Sequence, residues 1–365
     1  MKILHLYRGY YPEIEGGIPY IIRKFIEISG KTIENEALVA SKTFETSGDD
    51  HIIATKSYGS IFSIPASPSY LPTAIKLLSG YDIIVAHTPF PVANLVLLFA
   101  SNRQKKIIFW HADILKNRII KLLLSPIITW SLTKSDAIII GHPKILQNTK
   151  ILQKFHKKCF VLPFPVDETK FSCNQLDKLP HRVVACGRLV KYKGFLNLIQ
   201  AAKDVNAEFI IIGEGPERHN LEHKIAELGL EKKIKLVGHI SDDEKIAYLK
   251  SAAIFVFPSI TEQETFGIAQ LEAMAAGCAV INTNIGTAVP LIARDKLEAL
   301  TIEPNNPTQL ADSIQLLLEN QQLRSSLANA GIERVKKDFS RRKFQENVRQ
   351  LMTKIMNQSE QSHRP

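Results

Sequence analysis

Short apolar runs alternate with longer amphipathic stretches along nearly the whole chain, and they do so in two series. The first series reads Ile3–Tyr7, Ala37–Ala40, Asp82–His87, Ile107–Trp110 and Ala137–Ile140, with helix-patterned stretches such as Ile18–Ile28, Val92–Ala100 and Ile119–Lys134 between them. Runs this short and this rich in Ile and Val, spaced by helical patterns, mark parallel strands covered on both faces. Two prolines then stiffen the chain at Leu162-Pro163-Phe164-Pro165, the pattern of a hinge between domains, and the polar segment Ser172–Pro180 adds a linker. The series starts afresh with Val183–Cys186, Glu208–Ile212, Ile234–Val237, Ala253–Phe257 and Ala279–Asn282. The segment from Pro307 to Asn357 reads as wholly helical. The alternation predicts an α/β fold: two Rossmann-like, doubly wound parallel-sheet domains facing across a cleft, with ligands at the C-terminal ends of the strands. The expected boundaries are residues 1–165 and 166–340, a closing helix over 341–357 that packs back on the first domain, and a polar, disordered tail over 358–365.

At 365 residues the chain is long enough for two separate cores. Its apolar stretches are strand-sized or broken by Lys and Pro, which predicts no membrane span. The opening Met1-Lys2-Ile3-Leu4-His5 lacks the long apolar core of a signal peptide. Four scattered cysteines (Cys159, Cys173, Cys186, Cys278) form no CxxC pair and fit a reducing compartment, so a cytoplasmic protein is expected. The formal net charge of +10 is concentrated: residues 102–158 carry twelve Lys or Arg against two acids, Asp113 and Asp136. Such a face suits anionic lipid or a phosphorylated acceptor, and equally a solvated surface with no partner. Zinc spacing, a basic recognition helix and aromatic-interleaved basic strands are all missing, so nucleic acid is not expected and peripheral contact with an anionic membrane through 102–158 is the preferred reading. The amphipathic stretch Lys116–Lys134 fits that surface and a core helix equally well.

The run Pro258-Ser259-Ile260-Thr261-Glu262-Gln263-Glu264-Thr265-Phe266-Gly267-Ile268-Ala269-Gln270-Leu271-Glu272 carries the most chemical information. A strand leads into a loop with a carboxylate, and a glycine then opens a helix. Glu264 stands ahead of a helix expected to begin near Phe266, and Glu272 about one and a half turns into it. Backbone N–H groups at Gly267 and Ile268 point where an anion can sit. Sugar hydroxyls on one carboxylate, a diphosphate on the N–H groups and a ribose on the second carboxylate outline a nucleotide-sugar site. Cys186-Gly187-Arg188-Leu189-Val190-Lys191-Tyr192-Lys193-Gly194 places Arg188 and Lys193 at another strand end, a fork and a point charge suited to a diphosphate. Gly213-Glu214-Gly215-Pro216 and Val237-Gly238-His239-Ile240 are further glycine turns after strands. Backbone at Gly238 can read a base edge, while His239 reads as structural.

In the first half, Gly16-Gly17 before a helix is either a phosphate-approach loop or a flexible turn. His111 and Asp113 follow a strand. His111 is a ligand contact or a satisfied core histidine, and His87 is equally open. No Asp-x-Asp and no His/Cys cluster points to a metal. The glycine turns do not spell GxGxxG with an acidic ribose binder, and P-loop and Gly-x-Ser-x-Gly motifs are absent.

Taken together, Gly16-Gly17, His111, Gly187-Arg188 with Lys193-Gly194, Gly213-Glu214-Gly215-Pro216, and Glu264 with Glu272-Ala273-Met274-Ala275-Ala276-Gly277 resemble the family 4 retaining glycosyltransferases of GT-B fold. The match spans roughly residues 1–286. Trp110-His111-Ala112-Asp113-Ile114-Leu115 and Phe266 to Met274 are similar to bacterial O-antigen and exopolysaccharide mannosyltransferases. The resemblance implies an acceptor-binding first domain and a donor-binding second one. It implies that Arg188 and Lys193 neutralise the donor diphosphate, that Glu264 holds hydroxyls of the transferred sugar, and that Glu272 holds the ribose. Gly16, Gly17, Gly238, Phe266, Gly267 and Ile268 would border the donor, and His111 would contact the sugar. It further implies no metal and no cofactor, a nucleotide-sugar donor (GDP-mannose favoured), a lipid-linked glycan acceptor, and retention by front-side attack. The chain departs from that subgroup after Asn284-Ile285-Gly286-Thr287, where Ala288-Val289-Pro290 replaces Gly-Thr-Ser, and over Arg294–Pro304, which lacks Thr-Gly-x-Leu. A UDP-sugar donor, a GT-B sugar-nucleotide epimerase and a non-catalytic nucleotide-sugar-binding subunit are the alternatives. Acceptor dependence separates a transferase from the epimerase, and catalytic turnover separates both from the non-catalytic subunit.

Overall fold

The computed structural model describes residues 1–11, 13–14, 16–28, 32–43, 51–61, 64–112, 118–172 and 178–361. It divides into two compact units, Met1–Pro165 with Arg342–Pro365, and Val166–Arg341.

The first unit opens with β1 (Lys2–Leu6), α1 (Gly17–Ile28), β2 (Glu34–Ser41), β3 (Ile52–Lys56), a small hairpin β4 (Ser60–Ile61) and β5 (Ile64–Pro65), and α2 (Tyr70–Leu77). It continues with β6 (Ile83–Thr88), α3 (Pro91–Val96), β7 (Lys105–Trp110), α4 (Arg118–Lys134), β8 (Ala137–Ile140), α5 (Pro143–Asn148), α6 (Lys150–Gln153) and β9 (Cys159–Val161). Seven strands form one parallel sheet in the order β3-β2-β1-β6-β7-β8-β9. β6 and β8 are buried at every position, the condition that the Ile- and Val-rich runs anticipate.

The second unit holds α7 (Thr169–Ser172), β10 (Leu179–Cys186), α8 (Phe195–Ala202), β11 (Glu208–Ile212), α9 (Arg218–Glu227), β12 (Ile234–Gly238), α10 (Asp242–Ser251) and β13 (Ala252–Phe257). After these come α11 (Ile268–Ala275), β14 (Ala279–Thr283), α12 (Val289–Ile292), β15 (Ala299–Ile302), α13 (Pro307–Glu319) and α14 (Gln321–Arg334). Its six parallel strands run β12-β11-β10-β13-β14-β15. A fifteenth helix, α15 (Arg341–Gln361), follows. Its Phe344 meets Phe25 of α1 edge to face, with ring centroids 5.2 Å apart, inside the first unit.

The parallel α/β class is the one the alternation predicts. The helical run over Pro307–Asn357 is interrupted twice. Asn320 leaves helical geometry, and its side chain accepts from the Leu323 N–H to start α14 anew. Ser340 is extended and bridges to Val166 after a π turn at Val335–Phe339. The run then continues past Asn357 to Gln361. The expected helix over Val92–Ala100 shortens to α3. Four short, partly exposed strands, β3, β4, β5 and β9, have no counterpart in the sequence reading, and neither does β15. β15 lies in the Arg294–Pro304 departure, entered through Lys296 at φ 58°.

Candidate functional site

In an open parallel sheet, loops leaving two adjacent strands diverge where the strand order reverses, and the gap there receives ligands. In the second unit that reversal falls between β10 and β13. The loop after β10 brings Lys193 and the loop after β13 brings Glu264. The two side chains form a close ion pair, 13% and 14% exposed respectively. The Ile260 N–H donates to the Tyr192 carbonyl at 2.8 Å and ties the loops together. Lys193 also stands 5.0 Å above the Phe257 ring. Burial works against its charge, but the Glu264 carboxylate outweighs burial and holds the ammonium above its ordinary value.

Arg188 lies exposed on the same β10 loop and joins no ion pair among the described residues. The glycine turns tie adjacent strand ends together: Gly187 N–H donates to Ile212 O at 2.9 Å, and Gly213 N–H to Gly238 O at 2.9 Å. A Cβ on Gly213 would stand 2.1 Å from the Gly187 carbonyl. The ends of β10 and β11 are therefore in direct backbone contact, with no room for a side chain at Gly213.

α11 begins at Ile268, two residues later than expected, because Gly267 adopts φ 84°. Phe266 is buried behind it. Gln270, fully buried, donates to the Phe266 and Val289 carbonyls at 3.3 and 3.0 Å and fixes this turn. Asn282 of β14 donates in turn to the Gln270 amide oxygen at 3.2 Å. The N–H groups of Ile268 and Ala269 at the start of α11 have no intrahelical acceptor, while that of Gln270 donates to the Gly267 carbonyl at 3.2 Å. Glu272, just over one turn along, is paired with Lys245 of α10 at 2.9 Å. Burial opposes the Lys245 charge, but Glu272 outweighs it and holds the ammonium far above its ordinary value. Sequence reasoning missed Lys245, Gln270 and Asn282. The one available signal is the Ser241/Glu244 capping box, which sets Lys245 in the first turns of α10 beside the end of β12.

In the first unit the order reverses between β1 and β6. Gly16 and Gly17 follow β1 and are exposed, with open space above Gly16. Their loop is pinned by Glu13, which accepts from Ser41 Oγ at 2.6 Å and from the Lys42 and Thr43 N–H groups at 2.9 Å. Slight burial is outweighed by these donors, which pull the carboxyl down to about 2. His111 directly follows β7 and stacks on Phe109, with centroids 4.2 Å apart. His111 Nε2 lies 2.9 Å from His87 Nδ1, His87 Nε2 lies 2.9 Å from His5 Nδ1, and His5 Nε2 lies 3.0 Å from Asn35 Oδ1. Burial pushes His5 down to about 4, His111 down to about 3 and His87 well below its ordinary value, so all three are neutral near pH 7. His5 and Asn35 carried no sequence signal. Asp113 and Lys116 lie outside the described residues.

Among the described residues no group of three or more His, Cys, Asp or Glu is placed to hold a metal ion. Among them, too, no helix is long and apolar enough to cross a membrane.

An ion-paired Lys and Glu thus stand at the order reversal of one doubly wound sheet, and a second doubly wound sheet carries a glycine loop and a row of buried neutral histidines at its own strand ends, the build of a two-sheet α/β enzyme. Residues 166–334 match the family described as Glycosyl transferases group 1, and together with the fold this marks the chain as a glycosyltransferase that resembles the retaining family 4 enzymes of GT-B fold. It is 26% identical to O-antigen chain mannosyltransferase C of Escherichia coli over 359 residues, covering 95% of this chain and 94% of that protein. It is 26% identical to D-rhamnosyltransferase WbpZ of Pseudomonas aeruginosa over 341 residues, covering 88% of each. The fold is also that of Anabaena HepE solved in complex with UDP, at a TM-score of 0.79 and 18% identity, covering 97% of this chain and all of the other.

Proposed function

We propose that this enzyme transfers a hexose from a nucleotide sugar to a lipid-linked glycan in cell-surface polysaccharide synthesis, with mannose from GDP-mannose as the favoured donor. The observation that carries the reading is the Lys193–Glu264 pair at the β10/β13 reversal, next to Arg188 and the start of α11. Breaking the anomeric C–O bond leaves a nucleoside diphosphate whose growing charge needs preorganised cations and N–H donors. Arg188, Lys193 and the N–H groups of Gly267 and Ile268 supply them from this chain's own atoms. Glu264 takes hydroxyls of the transferred sugar, Glu272 takes the ribose, and backbone at Gly16, Gly17, Gly238 and Phe266 borders the donor. His111 contacts the sugar. No metal has a role in this scheme. The departing phosphate oxygen accepts the acceptor's proton in a front-side attack that keeps anomeric configuration.

Similarity along nearly the full length to an O-antigen mannosyltransferase supports the sugar and the glycan class. The likeness to HepE with UDP is the specific observation behind a UDP-sugar alternative. The lipid-linked acceptor is consistent with an anionic membrane surface contacted through 102–158. There Leu122 and Leu123 of α4 are 76% and 71% exposed. Part of the basic excess is structural, since Lys158 Nζ donates to Thr133 O at 2.6 Å and Ser135 O at 2.7 Å, at the end of α4.

Calorimetry without metal tests the donor, using GDP-mannose, GDP, UDP-glucose, UDP-N-acetylglucosamine and UDP. Selective GDP-mannose binding is the expected result. Selective UDP-sugar binding keeps the enzyme class and replaces the sugar, and binding of none by folded protein overturns the donor site. Glu264→Ala and Lys193→Ala should each lower transfer by at least about a hundredfold while the fold persists. Near-normal activity in either variant sinks the assignment.

A further inference from the structure

Four buried side chains in the first unit form an unbranched hydrogen-bonded row that ends on one buried nitrogen without a described partner. The row begins at a group whose role is fixed. The Phe25 carbonyl can only accept, and the Asn35 amide nitrogen lies 3.3 Å from it. Asn35 therefore presents its oxygen to His5, and His5 Nε2 must donate across 3.0 Å. A neutral imidazole that donates from one nitrogen accepts at the other. His5 Nδ1 is thus an acceptor, so His87 Nε2 carries the proton in the 2.9 Å contact between them. The same step places a lone pair on His87 Nδ1 and a proton on His111 Nε2, also across 2.9 Å. At the end of the row stands His111 Nδ1. It is unprotonated, its residue is 5% exposed, and no described group hydrogen-bonds to it.

We propose that His5, His87 and Asn35 are positioning residues that lock His111 in its Nε2–H tautomer, so that Nδ1 is a dedicated acceptor for one hydroxyl of the sugar substrate. The proposal rests on the reading of His111 as a sugar contact and deepens it: the sugar must offer an O–H donor at that position. A buried acceptor left bare by a deoxy sugar is costly, which makes the row a specificity device. The row does not move a proton. Asn35 has no proton to release and no basic site to receive one, so its far end is closed. Phe109 stacks on His87 and His111, and Phe164 tilts against His111 at 5.7 Å, so the rings are held in plane from the sides as well.

The test uses the full chain with ¹⁵N-labelled histidine and long-range ¹H–¹⁵N correlation, which reports the protonation of each ring nitrogen. His111 signals are assigned by their loss in His111→Gln. The expected result is an unprotonated Nδ1 in the free protein, which loses its uniform state in His87→Leu and recovers it in His87→Asn, whose amide oxygen can accept from His111. A protonated Nδ1 in the free protein, or an unchanged tautomer in folded His87→Leu, overturns the proposal. In transfer assays His87→Leu should lower kcat/KM about ten- to a hundredfold, with His87→Asn restoring most of it. A substrate analogue lacking the contacted hydroxyl should lose far less in His87→Leu than in the parent. Equal loss in both overturns the specificity role. If the tautomer is as expected but no bound nucleotide sugar shifts the Nδ1 resonance, the row stands and the reading of His111 as a sugar contact fails.

Discussion

Gly194 and Gly213 occupy positions where a methyl group has no room. A Cβ at Gly194 would stand 2.0 Å from the Pro258 carbonyl, with φ at +70°, and one at Gly213 would stand 2.1 Å from the Gly187 carbonyl, with φ at +135°. The opposing atoms are backbone, so relief requires moving a strand end. Gly213→Ala should destabilise the protein by about 2–4 kcal/mol, read from denaturant unfolding, and weaken donor binding in parallel. Lys296 is the mirror case, an L-residue held at φ 58° where the resembling subgroup carries a glycine-rich run. Lys296→Gly should stabilise by about 0.5 kcal/mol, the left-handed strain of about 1 less the entropy of glycine. A lowered denaturation midpoint would contradict it. The glycine turns were legible because their sequences announce close backbone approach. Lys296 was not, because nothing in a lysine marks a left-handed turn.

At the scale of elements, α11 shows both what patterning conveys and what it omits. Its N-terminal glycine and the spacing from Glu264 to Glu272 stood plainly in the sequence. The start at Ile268, by contrast, depends on Gln270 and Asn282, residues that read as unremarkable polar positions until β14 is folded beside them. Lys245 is similar: it reaches Glu272 only because α10 and α11 cover neighbouring strand ends. The pair is mostly buried, so its rupture falls between the about 1 kcal/mol of an exposed pair and the 3–5 kcal/mol of a fully buried one. Lys245→Met should therefore cost about 2 kcal/mol and, if Glu272 holds the ribose, weaken donor affinity about tenfold. Calorimetric titration of the variant checks this, and unaltered affinity would remove Glu272 from the donor contacts. The histidine row was invisible for the same reason: residues 5, 35, 87 and 111 become neighbours only once β1, β2, β6 and β7 are laid side by side.

Across the molecule, the class of fold was written in the chain because parallel strands covered on both faces must be apolar throughout. The edges escaped notice. β3 is a half-buried edge strand of five residues and β9 an edge strand of only three, none of them fully buried, so periodicity has little to register there. The three buried histidines also set a property of the whole first unit. Their pKa values lie below the ordinary 6.5, at about 4 for His5 and about 3 for His111, with burial as the cause. As pH falls below 6.5 the unfolded chain takes up protons that the folded chain refuses, so stability is intact above that value and lost beneath it. The slope approaches about 1.4 kcal/mol per pH unit for each histidine until the folded values are reached. Urea midpoints measured from pH 7 to pH 4.5 should fall steeply, and His5→Phe should flatten the curve. Parallel curves for parent and variant would refute this source of acid sensitivity.

The contact between Lys193 and Glu264 has a kinetic consequence for turnover. On the proposed reading, an arriving donor would have to part the two paired charges and give each a new partner, the diphosphate for one and the sugar hydroxyls for the other. Once the sugar had been handed on, the spent nucleotide would satisfy only the ammonium. The abandoned carboxylate would then compete for that same ammonium and help the cluster expel its own leaving group.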